Sequence, residues 1–171
     1  MARTELNITY YPEGAKDLND GITIGDLVKI LIRESRRQNG ALIRKAKLSV
    51  TVTCARCGCH RGSYQELDVH HKKPLWVYAM ELVMAAPPQN YAQYRAMAEE
   101  MMLGRIRLGP ECHSVENAEA LCRKCHSPAE VKAYEKWKKH FSARGRIVFG
   151  NKIGDHQRYL SEKIDYMPKW R

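Results

Sequence analysis

The stretches Cys54-Ala55-Arg56-Cys57 and Cys122-Arg123-Lys124-Cys125 decide the fold of this chain more than any other part of it. A CxxC turn places two thiolates on one side, and two such turns complete the tetrahedral four-thiolate shell that zinc prefers. One pair alone would also fit a redox motif, but two pairs in one small chain predict structural zinc. Because 64 residues separate the pairs, we expect a clamp that joins distant points of the chain, with a plain zinc ribbon carrying a long loop as the alternative.

The remaining cysteines, Cys59 and Cys112, are each followed by a histidine, His60 and His113. These four residues could form a second zinc site, or the two thiols could stay free. The polar start of the chain has no apolar leader segment, and no run of about 18 apolar residues occurs that would span a membrane. A reducing, cytoplasmic location is therefore expected, and in such a compartment disulfides are rare.

A histidine pair lies between the two CxxC turns. Leu67 and Val69 alternate with Asp68 and His70, a pattern that predicts a short strand. Asp68 and His70 then share one face of the strand, whereas His71 points the other way or ends it. Adjacent histidines in this setting need not do the same work.

The order of these motifs resembles the HNH endonuclease family. The pattern is Cys-x-x-Cys, then Val-His-His-x-x-Pro-Leu at 69–75, then Glu-Asn-x-x-x-Leu-Cys-x-x-Cys-His at 116–126. It spans residues 54 to about 140 and implies an α+β fold with a ββα-metal (His-Me finger) core, held by a four-cysteine zinc clamp. The chain departs from the family pattern at Lys72-Lys73, where apolar residues are common, and in a long insertion between the two β elements. Because of that insertion, the resemblance does not define which loop residues would contact DNA.

The resemblance also implies a role for each residue of the motif. His71 would be the general base that activates water, and His70 and His126 would bind a catalytic divalent metal. Asn117 would orient the His71 imidazole and brace the loop, while Asp68 lies in reach of the metal or of an imidazole. His113 is a further candidate for a functional role. His140 and His156 are expected to be ordinary surface or core histidines.

Phosphodiester hydrolysis explains why these residue types are useful. Neutral imidazole is a base poised near pH 7. A bound cation stabilises charge on the phosphate and on the leaving oxygen. A site with two histidine ligands should accept Mn²⁺ or Ni²⁺ as readily as Mg²⁺. The expected cofactors are thus a structural Zn²⁺ and a catalytic divalent metal.

The charge balance favours a polyanionic partner. The chain has 29 Lys and Arg against 19 Asp and Glu, a net charge of +10. From Lys132 onward eleven basic residues face four acids, so the tail is a candidate for binding the phosphate backbone. DNA is the expected partner. Five side chains near the motifs are predicted phosphate contacts: Arg56, Lys72, Lys73, Arg123 and Lys124.

Three regions are predicted along the chain: an N-terminal helical extension (1–47), a nuclease core (48–142) and a basic tail (143–171). The extension should be irregular to residue 22 and then helical from Ile24 to about Arg37, with Thr23 starting a capping box. Alternating apolar residues predict a strand at 48–52. The core carries an inserted helical pair within 75–104, predicted at 75–85 and 89–103, with Gly104 ending the second helix. A last helix should start at Ser127-Pro128 and run to about Phe141, with Val131, Tyr134 and Trp137 facing inward.

The leading functional prediction is a metal-dependent DNA endonuclease. One such site nicks one strand, so double-strand cleavage would need a homodimer. The alternative is a non-catalytic zinc-stabilised nucleic-acid-binding module, against which the histidine cluster argues. An RNA-directed nuclease is a third reading, since nothing in the chain distinguishes the two sugars. Small stand-alone proteins of this family often come from phages or restriction systems, which by analogy suggests a bacterial or phage-infected cell.

Overall fold

Four helices and two small antiparallel sheets make up the computed structural model, which describes residues 6–15, 20–41, 53–60 and 67–150. The fold is α+β, as predicted. The helices are α1 (Ile24–Gln38), α2 (Leu75–Ala85), α3 (Tyr91–Met102) and α4 (Arg123–Ser142). The strands are β1 (Ile8–Tyr10), β2 (Ile22–Thr23), β3 (Leu67–His71), β4 (Ala118–Cys122) and β5 (Ile147–Phe149). None of these helices is long and apolar enough to cross a membrane.

A three-stranded sheet in the order β2-β1-β5 joins sequence-distant parts of the described chain. Tyr10 pairs with Ile22 on one side and with Ile147 on the other. Ile8 and Phe149, which also pair, are buried. The prediction that residues 1–22 are irregular is therefore wrong for Ile8–Tyr10, because these short strands are stabilised by packing rather than by a strong local pattern.

Helix α1 has the predicted span but not the predicted cap. Thr23 occupies the N-cap position without a side-chain hydrogen bond to the helix, and its buried hydroxyl has no partner among the described residues. Asp26, expected to complete a capping box, pairs with Lys29 at 3.2 Å instead. The apolar face of α1, including Leu27, Val28 and Leu31, is fully buried.

The inserted helices α2 and α3 pack against α1 and form the larger hydrophobic core with it. Helix α2 has the predicted boundaries. Helix α3 starts later than predicted because Asn90 caps it, its side chain accepting a hydrogen bond from the backbone N–H of Gln93 at 2.9 Å. Gly104 ends the segment with a φ of 73°, a left-handed conformation that suits glycine. The insertion is thus a main part of the protein's interior.

The second sheet pairs β3 with β4, and α4 follows β4 directly. Its register places Leu67 opposite Cys122, and His70 opposite Glu119. Side chains from this sheet, from α4 and from the first CxxC turn form a smaller core: Cys54, Leu67, Ala120, Leu121, Cys122 and Ala129. The insertion therefore connects two paired strands, with its own helices buried in the other core.

Helix α4 begins earlier than the capping signal predicted. It starts at Arg123, with Cys122 as its N-cap, so Ser127 and Pro128 lie inside the helix. Its inner stripe runs from Phe141 through Trp137 and Tyr134 to His126, at spacings that leave Val131 63 % exposed. The prediction that Val131 faces inward is wrong: the buried side chains of this part of the helix are His126 and Ala129, and Val131, two residues after Ala129, lies on the opposite side of the helix. The predicted strand at 48–52, His156 and the tail from residue 151 lie largely or wholly outside the described residues.

Candidate metal centre and histidine cluster

The four cysteines of the two CxxC turns converge on one point. Each offers a sulfur atom, and these atoms all lie within 4.8 Å of one another: Cys54, Cys57, Cys122 and Cys125. The Sγ atoms of Cys57 and Cys122 are 3.8 Å apart. In the described part of the chain no other group of three or more histidine, cysteine or acidic side chains is so close. This cluster could hold a structural metal ion such as zinc.

Local backbone geometry shapes the first turn of this cluster. Thr53 and His60 form an isolated antiparallel bridge, and Gly58 turns the chain between them with a φ of 68°. The Gly58 N–H donates to the Cys54 carbonyl at 3.0 Å, and the Ala55 N–H donates to the Ala120 carbonyl of β4 at 2.9 Å. The first CxxC turn is therefore fastened to the strand that leads into the second.

Backbone amides stabilise the thiolate form of two of the four cysteines, Cys54 and Cys122. Burial alone would raise the pKa of Cys54, but backbone N–H groups of Cys57, Cys122 and Arg56 donate to its sulfur and lower the pKa to about 6. The Cys125 N–H likewise lowers the pKa of Cys122. Stabilised thiolates are the form in which cysteine binds a metal.

Cys59 lies beside the cluster without belonging to it. Its Sγ is 3.2 Å from that of Cys57, and this contact, ahead of burial, raises the pKa of Cys59 to about 11. Cys112 belongs to the other core, where its Sγ is 3.7 Å from Ser35 Oγ. A second zinc site from Cys59, His60, Cys112 and His113 is therefore not formed.

His70 and His126 come together across the β3–α4 contact. Both are buried, with ring centroids 5.5 Å apart. His126 lies between two carboxylates, with Nδ1 3.3 Å from Asp68 Oδ2 and Nε2 3.3 Å from Glu130 Oε1. His70 Nε2 is 4.0 Å from Glu119 Oε1. Burial lowers the pKa of His70, partly offset by the Glu119 charge, so its imidazole is neutral and able to ligate a metal at pH 7.

Two buried atoms in this group lack hydrogen bonds. Asp68 Oδ2 and His126 Nδ1 face each other at 3.3 Å, yet neither has a hydrogen-bond partner among the described residues. Unsatisfied buried polar atoms are rare and often mark an ion or a functional group. A carboxylate oxygen beside imidazole nitrogen is a donor set that fits a divalent cation.

His71 lies in a different environment from its neighbour His70. Its ring packs edge-on against His113, with centroids 5.6 Å apart. His113 is buried, and its Nε2 is 2.8 Å from Ser35 Oγ on α1. Burial, and then the positive fields of His113 and Arg36, lower the pKa of His71 to about 4. The His71 imidazole is therefore neutral at pH 7, with a lone pair that can accept a proton.

Asn117 braces the backbone next to the histidines. Its side-chain oxygen accepts the Lys73 N–H at 2.8 Å, and its side-chain nitrogen donates to the carbonyls of Lys73 and Cys112 at 3.0 and 2.9 Å. These three bonds hold the backbone that follows β3, and none of them goes to the His71 imidazole.

The predicted phosphate contacts differ in what they already bind. Arg56 lies 3.8 Å from Glu119, and Lys72 donates to the Glu116 carbonyl at 2.9 Å. Lys73 pairs with Glu81 at 2.6 Å and lies over the Tyr78 ring. Arg123 and Lys124 are exposed on the first turn of α4 and have no ion pair with the described residues.

Three side chains at this site were not among the predicted residues. Glu130 is four positions after His126, a spacing that places both on one face once the helix is known to start at Arg123. Glu119 reaches His70 only through strand register, and Ser35 reaches His113 only through tertiary packing. The spacing of His126 and Glu130 can be read from the sequence, whereas the contacts of Glu119 and Ser35 cannot.

In comparisons with known proteins, the chain matches no family model, no curated protein and no solved structure.

Proposed function

We propose that this protein is a divalent-metal-dependent DNA endonuclease of the HNH type. The observation that carries the proposal is that the two neighbouring histidines of β3 lie in different surroundings. His70 lies with Asp68 and His126, whereas His71 lies with His113. A binding module has no need of a neutral, partly buried imidazole next to a group of potential metal ligands.

The order of elements supports the same proposal. Two antiparallel strands, β3 and β4, are followed at once by α4, which matches the order of a ββα-metal core. The four-cysteine cluster lies where β4 ends and α4 begins. Cys125 precedes His126 in the chain, so a structural zinc would fix the position of the candidate ligand.

In this proposal Asp68, His70 and His126 hold the catalytic cation, with Glu130 as a further carboxylate in reach. The unpartnered Asp68 oxygen and His126 nitrogen are the reason for including Asp68 with the two histidines. The ion would supply charge stabilisation for the phosphate and the leaving oxygen.

The protein's own groups supply the remaining chemistry. His71 accepts a proton from the attacking water in this proposal: its imidazole is neutral at pH 7, and burial, which lowers its pKa to about 4, makes it a weaker base than a free imidazole. Asn117 holds the backbone that follows His71 and so fixes the strand end. Arg123 and Lys124, which are free of ion pairs with the described residues, can bind the flanking phosphates.

Cleavage of supercoiled plasmid tests this proposal. Wild type, His71→Ala and a matched control, His140→Ala, are incubated with EDTA, Mg²⁺, Mn²⁺ or Ni²⁺. His140 is an exposed histidine on α4 whose ring packs against the Trp137 and Phe141 rings, away from the candidate site. We expect metal-dependent nicking by wild type and His140→Ala, and a loss of at least about 100-fold in His71→Ala, the usual size of a general-base contribution.

Each outcome separates the candidate functions. Binding of DNA without cleavage under any metal would contradict the endonuclease and favour the zinc-stabilised binding module. Cleavage of RNA but not DNA would contradict the DNA endonuclease and favour an RNA-directed nuclease. Equal nicking by His71→Ala and His140→Ala would remove His71 from the mechanism.

A further inference from the structure

The C-terminal half of α1 lies against the histidines, although this helix is outside the HNH-like motifs. Ser35 Oγ is 2.8 Å from His113 Nε2, and His113 packs against His71. Ser35 is 1 % exposed, so the contact is an interior one that fixes α1 relative to the site. The residue that follows it on the helix, Arg36, is exposed.

Three arginines on this part of α1 differ in their partners. Arg33 and Arg37 share the carboxylate of Glu34, at 3.4 and 2.8 Å. Arg36 has no carboxylate partner among the described residues. After burial, its positive charge is one of the causes that lower the pKa of both His71 and His113. The helix therefore carries one guanidinium without an acidic partner directly after the residue that contacts His113, which in turn packs against His71.

We propose that Arg36 binds the phosphate group that is cut. The inference rests on the proposed endonuclease function and adds a residue from outside the motif. A guanidinium matches a phosphate with two parallel N–H donors. Placed beside the general base, it would stabilise the negative charge that develops on the phosphate oxygens as water attacks.

The test compares Arg36→Gln and Arg36→Lys with the control Arg37→Gln. Arg37 is on the same helix and its side chain is 67 % exposed, but it is paired with Glu34. In single-turnover nicking with Mg²⁺ we expect Arg36→Gln to be slower than wild type by about 100-fold, in the range of one lost transition-state donor. Arg36→Lys should recover part of the rate, because lysine restores the positive charge but not the two parallel N–H donors of the guanidinium. Arg37→Gln should stay within about twofold of wild type, as expected for an exposed side chain outside the site.

A binding measurement without added catalytic metal, and without a chelator that would empty the four-cysteine cluster, makes the test independent of turnover. The affinity for a short DNA duplex is followed against salt concentration, and loss of one phosphate contact should reduce the slope by about 0.9 in Arg36→Gln. Nicking by Arg36→Gln at the Arg37→Gln rate, with His71→Ala inactive, would overturn the proposal and leave the endonuclease standing. If wild type does not cleave, the endonuclease falls, and an unchanged salt slope would then overturn the phosphate contact as well.

Discussion

Tyr94 is a residue at which burial and hydrogen bonding conflict. Its side chain is 1 % exposed in the larger core, and its hydroxyl has no hydrogen-bond partner among the described residues. Burial accordingly raises its pKa. A buried unsatisfied hydroxyl costs free energy that its ring must offset by packing.

Tyr94→Phe should therefore stabilise the protein, by roughly 1 kcal/mol in the free energy of unfolding. Tyr91→Phe is the matched control, because the Tyr91 hydroxyl donates to the Gly21 carbonyl at 2.8 Å, and its loss should cost about 1 kcal/mol. Urea denaturation of the two variants checks the opposite signs. A destabilised Tyr94→Phe would mean that the hydroxyl has a partner.

Helix α1 is the element on which both the core and the candidate site depend. Its first turn touches β1, where a Cβ atom added at Gly25 would overlap the Leu6 carbonyl oxygen and lie 3.1 Å from the Ile8 nitrogen. Its last turns place Ser35 against His113. Close backbone contact at Gly25 therefore fixes the first turn of α1, and the last turns of the same helix hold the Ser35 contact with His113.

Gly25→Ala should destabilise the protein although alanine favours helices. Helix propensity would gain about 1 kcal/mol, but forcing α1 from β1 should cost more, for a net loss of about 2 kcal/mol. Gly40→Ala is the control, since no atom lies within 4 Å of the added Cβ. The melting temperatures of both variants are measured, and that of Gly25→Ala should be the lower one. Equal melting temperatures would exclude a close helix–strand contact.

Elements were predictable from sequence where the local pattern decided them. The span of α1 and the boundaries of α2 follow from apolar spacing, and the four-cysteine cluster follows from its two CxxC turns. Strand β1 was missed because its pairing with β5 is non-local. The start of α4 was missed because a strong capping signal at Ser127 lies inside a helix that the CxxC turn begins.

At the scale of the whole molecule, the described residues form two cores that meet through α4. The larger core contains α1, α2, α3 and the three-stranded sheet. The smaller core, which holds Cys54, Leu67 and Leu121, has few apolar side chains of its own. Small cores of this kind commonly depend on a metal for stability.

Removal of the structural metal should unfold the smaller core and spare the larger one. With a strong chelator, or in Cys57→Ser, we expect hydrogen exchange to accelerate at β3 and β4 while the buried amides of α1 stay protected. Cys59→Ser is the control, because Cys59 lies outside the four-sulfur cluster and should leave the bound zinc at one per chain. Zinc loss in Cys59→Ser, or uniform exchange across both cores, would contradict this division.

The order of the four thiols along the chain bears on its synthesis. Cys54 and Cys57 leave the ribosome before α2 and α3, whereas Cys122 and Cys125 leave after them. Until then only half of the sulfur shell exists, while α1, α2 and α3 can already pack together. A metal held by these four thiols would therefore complete its shell on a partly folded chain, and its supply would limit a late step of maturation, when β4 and α4 join the candidate site.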